Sequence, residues 1–86
     1  MTSVGEVKAG LTRFNDEATR QAATIRSLAE SMDRTSAMLR GLTSGASAAQ
    51  VAEALVRLEQ AKQRLHEAAT LAQGAVEATD SYAAGF

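Results

Sequence analysis

The chain has 86 residues, nine Lys and Arg against ten Asp and Glu, one His, and no Pro, Cys or Trp. That length allows one small domain, residues 1–86. Scattered, balanced charge excludes the basic face that displaces counterions from nucleic acid. No run approaches the roughly 18 apolar residues of a membrane-spanning helix, so no membrane insertion is expected.

Apolar residues make up 45% of the chain but aromatics only 3%. The apolar share is mostly Ala, the best helix former and the smallest core filler. A small chain buries a modest fraction of its surface. Without disulfides or a metal site, association is the usual remaining route to stability. The N-terminus lacks the basic segment and apolar core of a cleavable signal peptide. The expected location is therefore the cytoplasm, or outside the cell by a route that needs no such peptide. The absence of Cys fits either.

Helix 1 is predicted over 3–40. Ser3 with Glu6 three residues on has the spacing of a capping box. Gly5 and Gly10 weaken the first turns, so fraying is expected before about Lys8. Alternating steps of three and four from Val4 select Val4, Val7, Leu11, Phe14, Ala18, Gln21, Ile25, Leu28, Met32, Thr35, Leu39 and Leu42. Steps averaging about 3.5 residues hold one stripe toward a partner helix in a left-handed coil. Ala22, Ala29, Thr24, Ser31, Ser36 and Met38 then flank that seam. They are small or neutral, and they widen the face that can be buried.

Gly41 is the expected stop, in the left-handed conformation, with Leu42 folding back onto the seam. The turn, residues 41–46, contains Gly41, Thr43, Ser44 and Gly45, a breaker cluster. Helix 2 is predicted over 47–82, capped by Ser47 with Gln50. Its seam is Val51, Leu55, Leu58, Leu65, Ala69, Ala72, Val76 and Ala83, interrupted by Lys62 and Thr79. Beside it runs Ala54, Ala61, Ala68, Ala75, a row that lets backbones approach to the low end of about 8–10 Å. Asp16 with Arg20, Arg26 with Glu30, Glu30 with Arg34 and Glu53 with Arg57 are spaced to pair along the surface. A tail, 83–86, follows; Tyr82 and Phe86 form a possible recognition element at the C-terminus.

Equal helices and a short turn predict an all-α, antiparallel, coiled-coil-like two-helix hairpin. Two hairpins pairing into a four-helix bundle would cover the wide face. Folding about the turn places Gln21 near Leu65 and His66, and Lys62 near Ile25, a local polar layer. The expected partner or dimer interface is Val4, Val7, Leu11, Phe14, Ile25, Leu28, Met32, Leu39, Val51, Leu55, Leu58, Leu65 and Val76. The partner is a protein, in a homodimer or a heterodimer with another helical chain.

No catalytic or cofactor site is expected. A metal site needs several converging ligands, and His66 is the only His. A Ser nucleophile needs a base held beside it, and no phosphate-cradling loop with its Lys is present.

A helical hairpin of this length with a Gly-containing central turn resembles the WXG superfamily, the early-secreted-antigen-like small helical proteins of actinobacteria and firmicutes. The resemblance covers nearly the whole chain as architecture. The family turn carries Trp-any-Gly; here the segment is Thr43-Ser44-Gly45, with the Gly kept and Thr in place of Trp. The family's export signal pairs a Tyr with an acid four residues on; here Tyr82 is followed at that spacing by Phe86. The resemblance implies a dimerising helical protein of type VII secretion, either a substrate or the small partner or chaperone of a larger secreted protein or toxin. The alternative is a structural coiled-coil subunit of a cytosolic or phage assembly with no export role.

Overall fold

A computed structural model of the chain describes residues 3–45 and 48–85. It is an all-α hairpin of two helices packed along their length, α1 (Val4–Leu42) and α2 (Ala49–Ala84). The rod measures 65 × 19 × 15 Å. With no Pro, nothing interrupts either helix.

α1 starts as its cap dictates. The Ser3 hydroxyl oxygen accepts from the Glu6 amide at 3.1 Å, and the helix is regular from Val4, through Gly5 and Gly10. Its end differs from the expectation. α1 continues through Gly41 to Leu42, and Thr43 is the cap. The Thr43 amide donates to the Leu39 carbonyl at 3.1 Å, and its hydroxyl donates to the same oxygen at 2.7 Å. A side chain that satisfies an end carbonyl removes the need for a left-handed Gly at position 41. The left-handed residue is Gly45, with φ of +84°. Leu42 does not fold back and is 79% exposed.

α2 begins at Ala49, with Ala48 in the cap position and no side-chain cap hydrogen bond. The expected cap, Ser47, lies outside the described residues. Gly85 closes the helix.

The α2 face against α1 is the one its sequence predicts. Val51, Leu55, Leu58, Lys62, Leu65, Ala72, Thr79 and Ala83 are half-buried, and Ala69 and Val76 are buried. The α1 face is rotated. One predicted row is covered: Leu11, Ile25, Met32 and Leu39 half-buried and Ala18 buried. The second row is displaced by one residue. Asn15, Ala22, Ala29, Ser36 and Thr43 are covered, whereas Phe14, Gln21, Leu28, Thr35 and Leu42 are exposed. Ala22 and Ala29 are fully buried, and no large side chain is. The reason is steric. Ala methyls and a Ser hydroxyl let two backbones close together, where a Phe or Leu row would hold them apart.

Polar ties set the register. Asn15 donates to Asp80 and accepts from the Thr79 hydroxyl. Arg26 donates to Gln73 at 3.1 Å, and Lys62 donates to Asp33 at 2.9 Å. This register differs from the one expected from folding about the middle of the turn. Lys62 lies beside Asp33 rather than Ile25, and Gln21 is exposed, so the Gln21–Lys62 layer does not form. A longer α1 moves the point of reversal toward Gly45 and slides the pairing with it.

Candidate functional site

The displaced α1 row gives the hairpin two unlike faces. Arg26 of α1 reaches Gln73 of α2, and Asp33 reaches Lys62, on one side of the seam. Residues at seven-residue intervals share a helix face. The rows on that side are therefore Thr12, Thr19, Arg26, Asp33 and Arg40 on α1, and Ala52, Glu59, His66, Gln73 and Asp80 on α2. In an antiparallel pair the remaining flanks meet on the other side. These are Val7, Phe14, Gln21, Leu28, Thr35 and Leu42 on α1, and Ala54, Ala61, Ala68, Ala75 and Tyr82 on α2. Half of the first set is charged, counting His66 as neutral; the second set contains no charge.

Exposure follows the same division. Phe14 is 45% exposed, Leu28 52%, Leu42 79% and Tyr82 60%, all on the uncharged face. Met38 and Leu71, also exposed, sit on its two rims. Among the described residues no large exposed apolar side chain lies in the rows of the charged face, and one, Val56 at 56% exposure, sits on its rim. Along the α1 row of this face apolar side chains alternate with Gln21 and Thr35, so its exposed Phe and Leu stand about 21 Å apart.

Of the expected interface residues, Val7, Leu11, Ile25, Met32, Leu39, Val51, Leu55, Leu58, Leu65 and Val76 are half-buried or buried within the hairpin itself. Phe14 and Leu28 turn outward, and Val4 is 55% exposed at the start of α1. Tyr82 lies in the last turn of α2, and Phe86 lies outside the described residues.

The charged face holds polar ties between the two helices. Lys62, whose side chain is 19% exposed, is held by Asp33 at 2.9 Å and Glu59 at 3.1 Å. These contacts hold its pKa above 10.5, the Asp33 hydrogen bond most, then that of Glu59. Glu59 is lowered from 4.5, first by Gln63 and then by Lys62. Sequence reasoning singled out Lys62 as a seam interruption but missed Asp33, Asn15 and Gln73. Their only signal is a position one residue off the assumed rows. Of the expected surface pairs, Glu53–Arg57 forms at 2.8 Å. Arg20 instead meets Glu17 at 3.5 Å, and Arg34 donates to Ser31 at 2.8 Å.

His66 is exposed on the charged face. Among the described residues no group of three or more His, Cys, Asp or Glu is placed to hold a metal ion. No helix there is long and apolar enough to cross a membrane. No family model, curated protein or solved structure matches the chain.

Proposed function

We propose that this chain is a non-enzymatic helical interaction module whose uncharged face is covered by another helical protein. The observation that carries the reading is the strip of Phe14, Leu28 and Leu42, which the hairpin leaves exposed beside a row of Ala. Helix-on-helix docking suits it, since every other heptad of the α1 row presents a large apolar side chain beside small Ala residues, and a helix can seat against such a row. Lipid docking is disfavoured. A surface-bound helix sets Lys and Arg around a broad run of bulky apolar residues, whereas here the rims carry Glu17 as well as Arg57 and Arg64, and the α2 row is mostly Ala. A photo-reactive amino acid placed at position 28 in the native cell is expected to crosslink to a helical chain. The same group at position 19, on the charged face, is the control. Absence of any protein adduct from position 28 would count decisively against the reading.

The hairpin with Gly45 in its turn and Tyr82 near its end supports a narrower role. This is a type VII secretion substrate, or the small partner or chaperone of a larger secreted protein. Deleting residues 82–86 is the test. Loss of the chain from the culture medium, or loss of its partner, supports export. Unchanged export and binding would instead favour a scaffold subunit that uses the same face.

A further inference from the structure

We propose that the hairpin carries a second seam within the same chain. In it α1 turns by about 50° and slides about three residues along α2, so that α2 covers the row of Phe14, Leu28 and Leu42. Both arrangements lie inside one molecule, so the device does not depend on the interaction-module reading. Its effect is to withdraw the face on which that reading rests.

Register supplies the first argument. The Thr79 hydroxyl donates to Asn15. From that contact the covered rows pair off in layers: Ala22 with Ala72, Ile25 with Ala69 and Ala29 with Leu65. Each row repeats every seven residues. The Ile25 row belongs to two stripes of α1. One is completed four residues on, by Ala22 and Ala29; the other three residues on, by Leu28 and Leu42. With α2 unmoved, the second stripe meets the same two α2 rows after a slide of about three residues one way or four the other. The four-residue slide sets Lys62 against Leu28. The three-residue slide sets it against Thr35 instead, whose hydroxyl donates to the Ser31 carbonyl at 3.2 Å and keeps its oxygen free to accept. The same slide puts Leu28 against Ala69, Met32 against Leu65 and Leu42 against Leu55. The segment 43–48 joins the helices and reaches about 20 Å when extended. A slide of about 4.5 Å therefore leaves both helices intact.

Opposed forces hold the two seams. The observed one has close backbones and the ties of Asn15 to Asp80, Arg26 to Gln73 and Lys62 to Asp33. The second gives up those ties and covers Phe14, Leu28 and Leu42, which are now 45%, 52% and 79% exposed. What it uncovers is Asn15, Ala22, Ala29 and Ser36, small or polar side chains that water accepts at little cost. Packed elements with two such arrangements step between them by about a turn and do not deform continuously. Anything docked on the uncharged face selects the observed seam.

The test uses the full chain, which has no Cys of its own. Ala29→Cys with Leu65→Cys reports the observed seam, and Leu28→Cys with Ala69→Cys the second. Leu28 is exposed and Ala69 buried, and a disulfide needs Cα atoms within about 7 Å, so positions 28 and 69 bridge only after the slide. In a glutathione buffer the bridge between 29 and 65 is expected to form fast and that between 28 and 69 slowly. Asn15→Ala with Asp33→Ala removes two ties and should speed the second bridge at least tenfold. Adding Phe14→Gln and Leu42→Gln, both exposed in the hairpin, should slow it at least tenfold and leave the first bridge unchanged. Spin labels on Thr12→Cys and Gln60→Cys, at exposed positions, give a second reading should a bridging pair fail to fold. With the two ties removed, a second distance is expected about 4.5 Å longer than the first. Absence of that distance together with absence of the bridge between 28 and 69 overturns the second seam. A bridge whose rate ignores Phe14→Gln and Leu42→Gln reports mere unfastening of the hairpin and overturns it equally.

Discussion

Two glycines in one turn behave in opposite ways. Gly45 has a φ of +84°, while Gly41 lies inside α1. An added Cβ would meet nothing within 4 Å at either position, so backbone conformation alone decides the outcome. Gly45→Ala is expected to lower stability by about 1–2 kcal/mol, the cost of the left-handed region for an L side chain. Gly41→Ala should raise it by up to about 1 kcal/mol, since Ala is the better helix former. Urea midpoints of the two variants check both signs; equal shifts would refute the assignment. The breaker cluster itself was legible in the sequence. Which glycine turns the chain was not. The outcome hangs on Thr43, whose amide and hydroxyl both end on the Leu39 carbonyl. Thr43 had entered only as a member of the turn.

At the scale of the helices, α2 was legible row by row and α1 only in one row of two. The cause is specific. In α1 the positions flanking Leu11, Ile25 and Met32 on one side are Phe14 and Leu28; on the other they are Ala22 and Ala29. Both sets repeat every seven residues, so periodicity cannot choose between them. Close backbone approach chooses the smaller set, and hydropathy points to the larger. The register was lost for a related reason: its ties are polar residues in the seam rather than apolar ones. Lys62 can be tested through pH. Its pKa is raised from 10.5 by Asp33 and then Glu59. Its contribution to stability is therefore complete below 10.5 and is lost as pH rises through the higher folded value. Glu59 is lowered from 4.5, so its contribution is present above 4.5 and fades as pH falls through the lower folded value. Melting temperature should show a plateau between these limits and fall beyond both. The carboxylates are largely exposed, so the effect is modest and weakens with salt. Lys62→Met should flatten the alkaline fall when melts are followed by circular dichroism. An alkaline limb identical to that of the wild type would refute the role given to Lys62.

The molecule as a whole is a rod with an uncharged side and a charged side. What lies between them is thin. Among the described residues the buried apolar ones are Ala18, Ala22, Ala29, Ala69 and Val76, and no large side chain is fully enclosed. Heat capacity on unfolding follows the apolar surface that becomes hydrated. For the hairpin by itself, scanning calorimetry should give an increment below the usual value of about 12 cal/mol/K per residue. A value at or above that would mean a thicker interior than the one described. A small increment gives a broad, shallow stability curve: the single hairpin loses little on cooling and melts over a wide span of temperature. Under the proposed reading, a partner seated on the uncharged face adds the apolar burial the hairpin lacks, so melting in its presence sharpens and its midpoint moves with partner concentration.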